Sequence, residues 1–398
     1  MIRTCLALCC AFSILVVPFI ARAGFEEGEA AYHAGDYKKA LAEFRPLADQ
    51  GNADAQFNLG EMYAYGHGVP QDYKEAVSWY RRAAERGHIR AQKNLGIIYA
   101  YGLEVPQDYR EAAVWNRRAA EQGDEIAQFV IGEMYAVGQG VPQDYKEAAV
   151  WYRRAAEQGY VLAQYDLGVM YYHGQGLPQD LREAADLFRR AAAWGYARAQ
   201  YNLGVMYDSG QGVPQDYKEA VVWYRRAAEQ GNADAQNNLG VMYANGRGVP
   251  QDRVLAYALY NLSAANDPSA DNKATDNRAQ LAEQLNNNAI EAAQALTREL
   301  ARPGNFGRAL DAWLKKPAHA KPADASRRAK AEGSPDAPAA TGGFPPRPAK
   351  VPGRVSCNTR CVNAQCWRTY DNGRKVKFIA RQKWNPFENR FEWDSGSC

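Results

Sequence analysis

Six Pro-Gln-Asp triplets begin at positions 70, 106, 142, 178, 214 and 250, each 36 residues after the one before. A period in that range that never drifts means stacked supersecondary units, each burying its apolar face on its neighbours rather than in one shared centre. Length agrees with this, since a chain of 398 residues is too long for a single compact core.

Each unit predicts two helices. Asp72, Asp108, Asp144, Asp180 and Asp216 are followed three residues later by Glu75, Glu111, Glu147, Glu183 and Glu219, an Asp form of the capping box. The helix that follows carries Ala76, Trp79, Tyr80 and Ala83, an i, i+3, i+4, i+7 stripe, and stops at Gly87, Gly123, Gly159, Gly195 or Gly231. The other helix is typified by Ala199–Tyr207, with Leu203 and Tyr207 on one face. It holds a glycine, Gly204, that costs about 1 kcal/mol of helix propensity relative to Ala. Its return at 60, 96, 132, 168 and 240 predicts close helix–helix approach. Gly-x-Gly-Val-Pro then leads back to the next unit.

The motifs Ala-x-Gln-x-x-Leu-Gly-x-x-Tyr, Gly-x-Gly-Val-Pro-Gln-Asp and Trp-Tyr-Arg-Arg-Ala-Ala-Glu-Gln-Gly resemble the Sel1-like repeat family, relatives of the tetratricopeptide repeats, over about 30–265. The resemblance implies an all-α fold, a right-handed superhelical solenoid of helix pairs whose concave face binds proteins or peptides. It also carries a second implication, because some Sel1-like proteins bind or slowly hydrolyse β-lactams. The alternative function is therefore a β-lactam- or peptidoglycan-directed hydrolase. No Ser-x-x-Lys occurs in the chain, and the repeats lack the cysteine pairs of the family's disulfide-bonded branch. No catalytic residue, cofactor or metal site is expected.

Four segments follow. Residues 1–23 read as a signal peptide: Arg3, an apolar run from Cys5 to Ile20, then Ala21-Arg22-Ala23 as a cleavage site, so that the protein is expected to be exported to the periplasm or beyond with no membrane span in its mature part. Residues 24–302 read as the solenoid, with a degenerate first unit over 25–50 and capping helices over 273–302. Residues 303–353 turn Pro-, Ala- and Lys-rich, a disordered linker, although a short helix is expected over 308–314. Residues 354–398 read as a small β-meander with strands at 364–370, 374–384 and 390–394 and a turn at Asp371-Asn372-Gly373. Cys357, Cys361, Cys366 and Cys398 all lie there, and in an exported chain they predict two disulfides, with three pairings open; four-Cys zinc is the other reading, though the spacing lacks paired Cys-x-x-Cys.

The net charge of +3 gives no argument for nucleic acid, and the Arg pairs at 81/82, 117/118, 153/154, 189/190 and 225/226 read as a solvated face, with Arg81 and Arg117 four residues before Glu85 and Glu121. The Gly-x-Gly loops follow no strand and are explained by the repeat, not by a bound phosphate. The Trp and Tyr ladder (Trp79, Trp115, Trp151, Trp223) coincides with the packing stripe and reads as core. If the Leu-Gly helix lines the groove, as in tetratricopeptide relatives, two columns face the partner: Phe57, Lys93, Phe129, Tyr165, Tyr201 and Asn237, and beside them Asn58, Asn94, Asn202 and Asn238. Aromatic rings beside amides suit an extended peptide. In the last segment nine Lys/Arg against four Asp/Glu read first as a solvated strand face and, as the alternative, as a surface for an anionic envelope polymer or acidic partner.

Overall fold

The computed structural model describes residues 24–103, 105–269 and 272–317, together with the backbone of five strands within 357–394. The predicted signal peptide and most of the predicted linker lie outside the described residues. Contacts divide the chain into two units, one on either side of Gly342/Gly343.

The first unit is a solenoid of helix pairs. A helix over 24–33 (α1) and α2 (Tyr37–Asp49) form the opening pair. Six pairs follow: α3 (Ala53–Tyr65) with α4 (Tyr73–Glu85), α5 (Ile89–Tyr101) with α6 (Tyr109–Glu121), α7 (Glu125–Val137) with α8 (Tyr145–Glu157), α9 (Val161–His173) with α10 (Leu181–Ala193), α11 (Ala197–Ser209) with α12 (Tyr217–Glu229), and α13 (Ala233–Asn245) with α14 (Arg253–Asn266). The buried side chains fall into successive clusters, centred on 31–79, 112–187 and 220–313, and not into one centre.

The caps explain why the pairs are so alike. Asp72 Oδ1 accepts from the N–H groups of Lys74 and Glu75 at 2.8 and 3.1 Å, and Asp108, Asp144, Asp180 and Asp216 repeat the geometry. The reciprocal half of a capping box is taken over by the preceding helix: the Asp72 N–H donates to the Tyr63 carbonyl at 2.9 Å, as Asp108 does to Tyr99 and Asp144 to Tyr135. Each Asp therefore starts one helix and ties it to the end of the other. The Leu-Gly glycines do mark close approach. A Cβ on Gly132 would lie 2.7 Å from the Tyr152 ring, and one on Gly204 2.7 Å from the Tyr224 ring.

Neighbouring pairs are stitched by two polar devices. Arg81 donates to the Tyr99 hydroxyl of the next pair at 2.6 Å, Arg153 to Tyr171 at 2.9 Å, and Arg117 to Tyr135. Where the helix carries a tryptophan, the second arginine of the doublet lies over it, Arg82 on Trp79, Arg118 on Trp115 and Arg226 on Trp223, each 4.5 Å from the ring centre. The contacts given for Arg81 and Arg117 are thus to the tyrosines of the next pair, rather than the expected ion pairs to Glu85 and Glu121.

The second device is a chain of buried amides. Gln92 Nε2 donates to the Ala84 carbonyl at 2.9 Å and its Oε1 accepts from Gln122 at 2.8 Å; Gln128 with Gln158, Gln200 with Gln230 and Gln236 with Asn266 repeat it. It breaks where the helix-ending residue is Arg86 or Trp194. There the buried Oε1 atoms of Gln56 and Gln164 lack a partner, and Trp194 is 76% exposed. Trp194→Gln restores the missing donor and surrenders little packing. The expected result is a gain of about 1 kcal/mol, read as a higher urea midpoint at unchanged slope.

The array closes with α15 (Ala274–Ala282), α16 (Asn287–Leu300) and α17 (Phe306–Leu314). The boundary placed at 302 is therefore too early. Phe306, Leu310 and Trp313 bury in the same cluster as α14, the Trp313 indole donates to Asp252 at 2.9 Å, and Arg225 pairs with Asp311 at 2.7 Å, so α17 belongs to the solenoid and not to the linker. No helix among the described residues is long and apolar enough to cross a membrane.

The C-terminal unit is more divided than a three-stranded meander. β1 (Cys357–Val362), β2 (Gln365–Tyr370) and β3 (Lys375–Ile379) form one antiparallel sheet in that order, and β4 (Arg381–Asn385) pairs with β5 (Arg390–Asp394) in a second. The strand expected over 374–384 is thus two, Lys375–Ile379 and Arg381–Asn385, in different sheets, and β1 was not expected because Asn358 and Thr359 give a weak strand signal. The Asp371-Asn372-Gly373 turn, Cys398 and the cysteine side chains lie outside the described residues.

Candidate partner groove

The predicted groove residues occupy the first helix of each pair, two and one positions before Leu-Gly. The structure divides them. Phe57, Asn94, Phe129, Asn202 and Asn237 are buried, which removes them from a partner surface as it stands; Asn58, Lys93, Tyr165, Tyr201 and Asn238 are half-buried.

The cause is one recurring contact. The residue that caps α5, α7, α9 and α11 lies over the candidate position of the pair before it. His88 stacks on Phe57 with ring centres 4.5 Å apart, Tyr160 tilts over Phe129 at 5.2 Å, and Tyr196 meets Tyr165 edge-on at 4.9 Å. Where the candidate is Lys93, the covering residue is Asp124, with Nζ and Oδ2 3.1 Å apart. The offset is 31 residues each time, and the chemistry matches across it, ring on ring or charge on charge. That correlation was present in the sequence and was missed because each column was read alone. Asn94 is drawn in by a different contact, donating to Glu61 Oε1, which also accepts from the Tyr80 hydroxyl.

What stays accessible is a run of tyrosines over the fourth and fifth of the six pairs: Tyr160, Tyr165, Tyr196 and Tyr201, with Tyr172, whose hydroxyl donates to Gln211 at 2.5 Å. Burial pushes the Tyr160 and Tyr196 hydroxyls up to about 12, and burial followed by the charge of Asp234 raises Tyr201 further. These hydroxyls stay neutral and keep a proton to donate at any physiological pH. The half-buried carboxylates Asp166 and Asp208 stand in the first helices of the same two pairs. Neither Tyr160 nor Tyr196 makes a side-chain cap bond, unlike Asn52, Asp124 and Asn232 at the same position; their rings pack on Phe129 and Tyr165 instead.

The described histidines have structural contacts. His67 accepts from or donates to the Tyr32 hydroxyl at 2.9 Å and stacks on Tyr37 at 4.3 Å. His88 Nδ1 accepts the Ala91 N–H at 3.1 Å, which requires that nitrogen to be unprotonated. Burial lowers its pKa, the charge of Arg90 adds to this, and Asp54, 3.3 Å from Nε2, opposes without reversing it. A depressed folded-state value means stability that is present above 6.5, the unfolded value, and lost as pH falls below it. Acidification from neutrality should therefore remove a cap bond of about 1 kcal/mol, whereas His88→Asn, which caps as Asn52 and Asn232 do, should flatten that part of a stability–pH curve.

Among the described residues no group of three or more His, Cys, Asp or Glu is placed to hold a metal ion.

Comparison with known proteins agrees with the helix pairing. The Sel1 repeat model matches residues 53–88, 89–124, 126–160, 161–196, 197–232 and 233–268, so that each unit is one of the six pairs above. A Sel1 repeat protein from Oxalobacter formigenes is 33% identical in sequence, with a TM-score of 0.51, over 60% of this chain and 96% of its own. The uropathogenic Escherichia coli protective antigen c5321, which displays an SLR fold, is 29% identical with a TM-score of 0.33, over 75% of this chain and 79% of its own. No curated protein matches the sequence. With six consecutive matches spanning more than half of its residues, the chain belongs to the Sel1 repeat family.

Proposed function

We propose that the chain is an exported, non-catalytic scaffold that holds a protein or an extended peptide on the tyrosine-lined surface of its fourth and fifth repeats. Sel1 repeat arrays are generally protein-interaction modules. The observation that carries the reading for this chain is the set of half-exposed rings at Tyr165, Tyr196 and Tyr201, on the two consecutive repeats that also carry the half-buried carboxylates Asp166 and Asp208. Tyrosine offers a large, stiff contact area and a hydroxyl for main-chain groups. Trp194, two residues before Tyr196, supports it: an exposed indole kept at the cost of a buried amide bond is more economically explained by a partner than by the fold.

The C-terminal unit is the second binding module of this proposal. Its excess of Lys and Arg suits an anionic envelope polymer, and two modules on one chain raise each other's effective concentration. Export rests on the N-terminal apolar run and its Ala-Arg-Ala site.

The test is crosslinking recovery of partners from envelope extract. Tyr201→Ala and Trp194→Ala should each lower recovery about tenfold, the effect of losing one anchor of roughly 1.4 kcal/mol. Val222→Thr, at an exposed valine of α12, should leave recovery unchanged. Equal recovery by all three variants and the parent would overturn the assignment. Turnover of a chromogenic β-lactam by the purified parent would favour the hydrolase instead.

A further inference from the structure

We propose that the solenoid is jointed between its fourth and fifth helix pairs, and that opening of this joint bares the facing rings of Tyr165 and Tyr196. The link to partner binding rests on the proposed function; the joint itself does not.

Two ties that fix one pair to the next fail together here. Arg45, Arg81, Arg117 and Arg153 each donate to a tyrosine hydroxyl 18 residues further on, in the first helix of the next pair. By the same offset Arg189 would reach Tyr207. It pairs instead with Asp186 of its own helix, at 3.0 Å. The position of Asp186 is Ser78, Val114, Val150, Val222 and Ala258 in the other pairs, so a carboxylate captures the arginine in the fourth pair alone. Arg190 turns back to the Ala156 carbonyl of the third pair, at 2.9 Å. At the following junction Arg225 also leaves its tyrosine, but there Asp311 of α17 holds it at 2.7 Å. The amide tie is lost as well. Asn94 donates to Glu61, which also takes the Tyr80 hydroxyl, and so joins the second pair to the first. In the fifth pair Asn94 becomes Asn202, while Glu61 and Tyr80 become Val169 and Phe188, neither of which can accept. The Asn202 Nδ2 is buried without a partner.

Apolar packing runs on through the junction, where Phe188, Leu203 and Met206 are fully buried, and the hydrogen bond from Gln200 to the Ala192 carbonyl is kept at 3.1 Å. Apolar contact is non-directional and lets two surfaces tilt while they stay together, whereas hydrogen bonds fix distance and angle. An interface rich in the first and short of the second is a joint. On its tyrosine face Tyr196 meets Tyr165 edge-on at 4.9 Å, and Tyr172 donates to Gln211 at 2.5 Å. Phe57 and Phe129, at the position of Tyr165, are buried under their covering rings; Tyr165 and Tyr196 are not. Tilting the fifth pair away from the fourth parts these two rings and offers both to a partner, which then selects the open arrangement.

Hydrogen exchange of the full-length chain, read by mass spectrometry, tests the joint. A helix stack opens in blocks that part at its weakest interface. The slowest amides of α1–α10 and of α11–α17 should therefore exchange at two rates about tenfold apart, with the step between 193 and 197. Asp186→Ser, at an exposed position, frees Arg189 for Tyr207 and should shrink the step about fivefold, the share of one such hydrogen bond. Arg153→Ala, which removes the bond to Tyr171, should create a second step between 157 and 161. No step at 193–197 in the parent, or steps that ignore both substitutions, overturns the joint. Crosslinked recovery from envelope extract tests its link to the surface. Asp186→Ser should lower recovery about threefold by holding the rings together, although α10 carries none of them. Unchanged recovery with a smaller step would mean that the joint does not serve the surface. Recovery of nothing by the parent would count against the proposed function instead, and the exchange profile would still decide the joint.

Discussion

Gly132→Ala should lower the stability of the helical array by about 2 kcal/mol. The added methyl gains roughly 1 kcal/mol of helix propensity, but it enters a site with no slack. It would lie 2.7 and 2.8 Å from two carbons of the Tyr152 ring, and that ring is 1% exposed, so α7 and α8 must separate. Overpacking of this kind costs about 1–3 kcal/mol beyond the propensity gain. Because a solenoid is held by nearest-neighbour contacts, a weakened central pair should also broaden the transition, as the two flanks begin to unfold separately. Urea unfolding followed by circular dichroism measures both effects. A midpoint equal to or above the parent's would mean that the glycine is not a packing requirement.

Asn116→Phe should act in the opposite direction, by about 2 kcal/mol of added stability from burying an aromatic ring. Asn116 occupies the position held by Tyr80, Tyr152, Phe188 and Tyr224 in neighbouring repeats, is 1% exposed, and leaves its Oδ1 without a partner. Its Nδ2 is spent on the Ala112 carbonyl of its own helix, at 2.9 Å. Phenylalanine is the better choice over tyrosine for a local reason. Tyr80 donates its hydroxyl to Glu61, but the matching position one repeat later is Ile97, which would strand a buried hydroxyl. Phe188, with Val169 at that position, shows the same slot filled by a plain ring over Gly168. A fall in the urea midpoint would show that α5 and α6 have closed around the smaller side chain.

Much of the fold was open to reading because each unit states its own punctuation: Asp72 and its copies begin one helix, Gly87 and its copies end it, and Gly60 and its copies mark the crossing. The burial of the candidate groove positions was less open to reading. Positions such as Phe57 and Tyr165 lie on the first helix of their pairs, but their exposure depends on a residue 31 places further on, His88 or Tyr196, and that dependence is a property of two units together. The extent of the array past 302 was hidden for a similar reason. Trp313 looks like a stray aromatic before a Pro/Ala-rich stretch until its indole is seen on Asp252, which already caps Leu255 of α14. In the C-terminal unit no Gly or Pro marks the division of 375–385 between β3 and β4.

The stitches between repeats have constant offsets: 18 residues from Arg81 to Tyr99 and from Arg153 to Tyr171, and 31 from Lys93 to Asp124. A genetic duplication or loss of one whole period preserves every such offset, whereas any other length leaves arginines and glutamines facing the wrong neighbour. Evolution can therefore lengthen or shorten this surface by recombination in unit steps, and partner footprints in the lineage should differ by whole repeats.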